Sequence, residues 1–185
     1  GLDESFFIKS LANHDYSGQD KEIRILNEAI LSQNAVKVIY RSASKGREVI
    51  SELHPYGMVL LHASLYCIGY LACYEEVRTL KVARVKGLTR LEKAFEKPED
   101  FSLAGHFQGA FGVFQTGKKH RIRVEFSGWA ATNVREMQWH PSQKIVKDSR
   151  DTVVATFDLG NTVEFKRWVL GFGRRARVTQ PKGLA

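Results

Sequence analysis

From Glu48 to Arg84 the chain alternates long apolar runs with very short polar breaks. The runs are Val49 to Leu61, Leu65 to Cys73 and Val77 to Val85. His62-Ala63-Ser64 and Tyr74-Glu75-Glu76 are the breaks. Such a pattern predicts antiparallel strands joined by tight turns. Ala35 to Ser42 alternates in the same way, with Val36, Val38 and Tyr40 on one face and Lys37, Ile39 and Arg41 on the other. Ala43 to Gly46 reads as a turn, and Gly87 to Phe95 as a fifth strand. His54-Pro55-Tyr56-Gly57 interrupts the long second strand, where a proline removes a ladder donor and predicts an edge, a bulge or a sharp bend. Ahead of the strands, Ile23, Leu26, Ile30 and Leu31 recur at helical spacing over Asp20 to Asn34. Asp20 is the expected N-cap and Asn34 the expected stop. One helix followed by five short, consecutive strands predicts a small, strongly bent β-barrel.

Residues 1–19 read as an arm or linker and 20–97 as the barrel domain. Residues 98–117 read as a connector, with a helix start at Pro98 to Phe101 and packing phenylalanines at Phe107, Phe111 and Phe114. From residue 118 the pattern is clearer. His120 to Ser127, Gln143 to Lys147, Thr152 to Leu159 and Arg175 to Thr179 read as strands, and Trp129 to Met137 and Gly160 to Phe172 as helices. The order βαββαβ is that of a ferredoxin-like split unit over 118–185, so the whole chain is expected to be α+β. Trp129, Trp139 and Trp168 are expected in the core or at a dimer contact.

Composition adds a partner class. The 185 residues carry a net charge of +8, with a sequence pI near 9.6. Residues 118–185 hold fourteen Lys and Arg against six Asp and Glu, and 20–97 hold thirteen against nine. Such an excess permits a polyanionic partner without requiring one. Cys67 and Cys73, on one predicted strand, would stand about 20 Å apart, beyond disulfide reach. Two buried thiols in a reducing compartment are expected, and hence a cytoplasmic location. No apolar run approaches the ~20 residues of a membrane span, and no leader peptide is apparent. The opening Gly1-Leu2-Asp3-Glu4 reads as a start inside a longer protein or as a cloning scar. Neither His-Glu-x-x-His, Cys-x-x-Cys, a Walker loop nor Gly-x-Ser-x-Gly occurs, and the six histidines lack ligand spacing. No metal, cofactor or enzymatic activity is expected.

The polar residues of the strands are donors and rings with almost no carboxylates: His54, Tyr56, Ser64, Tyr66, Arg78, Lys81 and Arg84. Arg41, Arg78 and Arg84 are guanidinium candidates for phosphate. Arg78 and Arg84, six apart on one predicted strand, would share a face, with Lys81 pointing the other way. A surface bridge to Glu75 or Glu76 is the alternative for Arg78. His54 and Tyr56 would hydrogen-bond and stack, or would instead fix the bend. Tyr40 and Tyr66 are otherwise half-buried strand aromatics, and Ser64 a turn residue. Arg174, Arg175 and Arg177 form the densest charge run, either extending a groove for a strand or solvating a helix end.

Several segments together resemble a family. E-A-I-L, V-I-Y-R, L-H-P-Y-G, S-L-Y-C-I-G-Y and V-R-T-L-K-V-A-R-V resemble the WYL domain of bacterial transcriptional regulators. V-E-F-S-G-W, W-H-P-S-Q-K-I and F-K-R-W-V-L-G-F-G-R-R-A-R-V-T-Q-P-K-G-L resemble its C-terminal extension, WCX. The resemblance covers Asp20 to Leu184. At the name-giving Trp-Tyr-Leu this chain has Leu65-Tyr66-Cys67. The resemblance implies an Sm-like, SH3-type barrel that senses a ligand, followed by a ferredoxin-like domain that helps a homodimer form. It also implies an upstream winged helix-turn-helix that binds operator duplex DNA. Some members respond to short single-stranded DNA made during DNA damage, and that effector is expected here. The expected contacts are Tyr40, Arg41, His54, Tyr56, Ser64, Tyr66, Arg78, Lys81, Arg84 and Arg175. A small anionic metabolite or a cyclic nucleotide is the alternative ligand, and a dimerisation module without a ligand the alternative role.

Overall fold

The structure, a computed structural model, describes residues 15–43, 46–107, 110–112 and 120–184. The expected arm up to His14, part of the Ala43 to Gly46 turn, and Phe114 in the connector lie outside these residues. The fold is α+β, with two antiparallel sheets, and it divides into two units between Leu103 and Ala104. No helix of the described residues is long and apolar enough to cross a membrane.

The first unit opens with α1 (Asp20–Ser32), which buries Leu26 and Ala29. Leu31, expected on that stripe, is 77% exposed. Gln19, not Asp20, takes the cap position, and its side chain serves another element: Nε2 donates to the Val82 carbonyl at 3.0 Å. Asp20 lies inside the first turn, where its charge suits the helix dipole. Gln33 (φ +51) ends the helix, so Asn34 begins a strand and does not close the helix.

Five strands follow: β1 (Asn34–Arg41), β2 (Glu48–Leu61), β3 (Ser64–Leu71), β4 (Glu76–Lys81) and β5 (Val85–Ala94). Their order is β4-β3-β2-β1-β5. The expected barrel is not closed, because β4 and β5 form no ladder. The sheet is curled all the same. β1 and β4 are three strand spacings apart, about 14 Å if the sheet were flat. Yet the Lys81 backbone N–H donates to Tyr40 Oη at 3.2 Å. Curling is aided by a bulge in β2 between Pro55 and Gly57, which settles the three readings of that break. β2 is central, so it is not an edge, and the bulge removes the need for a ladder donor at Pro55. Inside the curl Leu26, Val36, Val38, Leu53 and Val82 are fully buried, each contributing roughly 1.5–3 kcal/mol.

The third apolar run is not one strand. β4 ends at Lys81, a 3-10 turn carries Val82 to Arg84, and β5 starts at Val85. Val82 is fully buried, which draws the backbone out of the ladder there. Arg78 and Arg84 therefore do not share a strand or its face. Cys73 is likewise outside β3, in a 3-10 turn, and exposed; only Cys67 is buried.

The second unit contains β6 (His120–Ser127), α3 (Trp129–Glu136), β7 (Lys144–Asp148), β8 (Thr152–Leu159), α4 (Val163–Leu170) and β9 (Ala176–Gln180). One helical turn, α2 (Leu103–His106), spans the division between the units; the helix start expected at Pro98 is instead a turn that Pro98 closes with Phe101. The sheet order is β7-β8-β6-β9. Ile122, Val124 and Phe126 on β6 and Val153, Ala155, Phe157 and Leu159 on β8 alternate into the core, where they meet Phe165 and Val169 of α4. α4 is shorter than expected because Asn161 Oδ1 accepts the Val163 N–H and starts the helix late. Trp139 and Trp168 pack against this core, whereas Trp129 is 57% exposed.

Candidate anion-binding surface

The curl gathers cations that are scattered in the chain. Tyr40 packs inward and pairs with Val85 in register, while its hydroxyl receives the Lys81 N–H. Arg41 follows Tyr40, and Arg84 precedes Val85. Arg41, Lys81 and Arg84 thus lie within one or two residues of a single closure point. Tyr66 stands opposite Lys81 on β3. Arg41 and Arg84 are exposed, and neither forms an ion pair among the described residues. Glu48 stands opposite Arg41 in register without bridging to it. Lys86 was not anticipated from sequence. It follows the buried Val85 and so projects from the outer face, as Arg41 does beside inward-facing Tyr40. The alternation at the start of β5 would have shown this had the strand boundary been visible.

The incoming chain touches the same corner. Tyr16 Oη accepts the Leu65 N–H at 2.6 Å, and Gln19 holds the Val82 carbonyl. Ser64, beside Leu65, is buried and serves the β2–β3 hairpin, in line with its turn reading.

His54 and Tyr56 are elsewhere, in an aromatic cluster at the bulge. The His54 ring stacks on Phe95 with centroids 4.9 Å apart and an angle of 6°. Its Nε2 meets Glu52 Oε1 at 2.7 Å, and Glu52 also accepts Lys93 Nζ at 2.8 Å. Lys93 first, then His54, holds the Glu52 carboxyl below its ordinary range. Tyr56 is 7% exposed between Phe95 and Phe101, and burial raises its hydroxyl pKa. Tyr56 therefore offers no ring face to a ligand, and His54 has its Nε2 engaged; both fix the bend. Of their partners, Glu52, Tyr70 and Lys93 come from three strands and Phe95 follows β5, which sequence spacing does not reveal.

Arg78 is held by its neighbours. Its guanidinium bridges to Glu76 and lies over the Tyr74 ring at 4.8 Å. That is the surface-bridge alternative. Arg175 belongs to the second unit, in a 3-10 turn before β9 and not in the strand itself. Among the described residues no three of His, Cys, Asp and Glu are grouped to hold a metal ion. What the corner offers is two guanidinium forks and two ammonium groups of one sign, a set suited to phosphate oxygens.

Comparison with known proteins agrees with the organisation seen here. Residues 21–90 match the family model of the WYL domain, and residues 118–185 match that of the WCX domain. No curated protein matches the sequence. One similar solved structure is described as a CRISPR Cas-related protein, with a TM-score of 0.62 and 14% identity, covering 89% of this chain and 48% of that one. Another is proteasome accessory factor B/C of Arthrobacter aurescens, with a TM-score of 0.45 and 15% identity, covering 95% of this chain and 26% of that one. This chain spans half or less of either protein; the first likeness, at 14% identity, speaks to fold alone.

Proposed function

The chain carries a WYL domain followed by a WCX domain, and from that premise we propose that it is the effector-sensing part of a dimeric bacterial transcriptional regulator. Its effector is a short single-stranded DNA, and its setting the response to DNA damage. The observation that carries this reading is that Arg41, Lys81, Arg84 and Lys86 are at, or next in the chain to, the residues Tyr40, Lys81 and Val85 that meet where the first sheet curls. A basic surface flanked by aromatic groups is how small β-folds hold single strands. The order β4-β3-β2-β1-β5 behind one helix supports an Sm-like first domain, and β7-β8-β6-β9 supports a ferredoxin-like second one. An upstream winged helix-turn-helix would read operator duplex DNA. The effector acts by binding one dimer geometry better than the other, since a ligand shifts an equilibrium only through differential affinity.

The test is fluorescence anisotropy with short labelled single strands, with and without a 5′-phosphate, against duplex DNA and RNA competitors at two salt concentrations. Arg41→Ala and Arg84→Ala each weaken binding and lower the salt slope by about 0.7. Arg78→Ala, whose guanidinium is already bridged, changes affinity less than about twofold. Unchanged affinity in both corner variants overturns the site. The compactness of the corner also favours a second reading, a small phosphate-bearing metabolite or cyclic nucleotide. Affinity that stops rising beyond one or two nucleotides in a length series selects it.

A further inference from the structure

Of the three tryptophans only Trp129 is left largely in solvent. It opens α3, and its ring rests on Phe172 with centroids 5.4 Å apart at 34°. Phe172 is buried in the second-unit core, so the indole is braced from below while more than half of it stays exposed. The Arg175 guanidinium lies against Gly128, the residue before Trp129. Arg175 Nη1 is 3.3 Å and Cζ 3.5 Å from where a Cβ at position 128 would stand. Gly128 has a φ of +56, so the absent side chain serves both the backbone and the arginine. Ser127 Oγ donates to the Arg175 carbonyl at 3.5 Å. Arg121, Arg135 and Arg177 pair with Asp158, Asp148 and Glu125, whereas Arg123, Arg150, Arg167 and Arg174 form no ion pair among the described residues. Arg175 forms no ion pair among the described residues. A braced, exposed ring follows Gly128 in the chain, and an unpaired guanidinium packs against Gly128 itself.

We infer that Trp129 and Arg175 form a nucleotide-binding step on the WCX domain, in which a nucleobase stacks on the open indole face and its phosphate takes the Arg175 guanidinium. Bases stack on aromatic side chains whatever their identity, and a neighbouring cation holds the backbone. The occupant must bring both a flat ring and a negative charge. An apolar cover would leave Arg175 without a counterion. This inference rests on the single-strand reading above and adds a contact to it.

The experiment titrates the whole chain with a short single-stranded oligodeoxythymidine bearing a 5′-phosphate. It follows affinity by anisotropy, tryptophan emission, and oligomeric state by sedimentation. The wild type shows quenched tryptophan emission on binding, and Trp129→Phe removes most of that quenching while keeping an aromatic platform. Trp129→Ala weakens binding about 5- to 150-fold, and Trp129→Phe restores most of the loss. Arg175→Ala lowers the salt slope by about 0.7. If Arg41→Ala and Arg84→Ala weaken binding while Trp129→Ala does not, the inference falls and the effector reading stands. If the wild type binds no single strand, both fall. If Trp129→Ala loses binding only together with its oligomeric state, the ring belongs to an interface and the inference is overturned.

Discussion

Gly69 stands where β3 passes the bulge of β2, paired with Pro55 on one side and Arg78 on the other. A methyl group built on it would stand 2.3 Å from the His54 carbonyl oxygen and 2.9 Å from Leu53 Cδ1. The first contact is with backbone, which has no rotamer to escape into. Gly69→Ala must push β2 away from β3 at the point where the sheet bends. Overpacking of this kind costs about 1–3 kcal/mol, and each ladder bond it weakens adds about 1 kcal/mol. Stiffening the unfolded chain returns about 0.4–1 kcal/mol. The net is a loss of about 2–3 kcal/mol, or about 10–20 °C in the melting of a unit this size. Gly57→Ala is the matched control. Its methyl would meet Leu103 Cδ1 at 2.8 Å, the free end of a side chain that can rotate. That variant stays within about 1 kcal/mol of wild type. Thermal unfolding followed by circular dichroism and calorimetry distinguishes the two. A Gly69→Ala protein that melts with the wild type, or a Gly57→Ala protein that loses as much, refutes the argument from backbone contact.

Three further outcomes are expected. His62 and Ala63 hold φ values of +48° and +55° in the β2–β3 hairpin, so Ala63→Gly relieves strain and stabilises by about 0.5–1 kcal/mol; a lower melting temperature counts against this turn. Cys67 is 1% exposed and burial pushes its thiol up to about 12, while Cys73 is exposed. One thiol therefore reacts with Ellman's reagent in the folded protein and two after denaturation, and two fast thiols in the folded protein contradict the burial. His140 is held below its ordinary value of 6.5, chiefly by burial, with the Ala110 backbone and Asp158 opposing. The unfolded chain then binds a proton that the folded one refuses, so this stability is full above about pH 6.5 and declines as the pH falls below it. His140→Gln flattens that decline in urea titrations of the second unit, and an unchanged pH dependence removes His140 as its cause.

Much of the element list is legible from neighbours in sequence. The alternation through Ala35 to Arg41 marks β1 because adjacent strand residues face opposite ways. His62-Ala63 marks a hairpin because two long apolar runs leave it too little chain for anything else. The quoted WYL and WCX segments lie where the family models match. The candidate site was less legible. Arg84 read as a strand residue because Val82 to Val85 keeps the apolar pattern; burial of Val82 puts a 3-10 turn there instead. His54 and Tyr56 read as surface donors because nothing nearby in sequence announces Phe95, Phe101 or Lys93.

What the sequence determined alone is what depends on periodicity and on short spacings: the helix, the runs that became strands, the basic excess and the family. These are set by residues a few positions apart. The tertiary structure decided where the sheet curls, which rings are buried at its bulge and which cations meet. Those depend on contacts such as Lys81 to Tyr40 and Gln19 to Val82, 41 and 63 residues apart. A local pattern carries no record of which distant group will accept a hydrogen bond, and that choice is what set Lys81 of β4 against Tyr40 of β1.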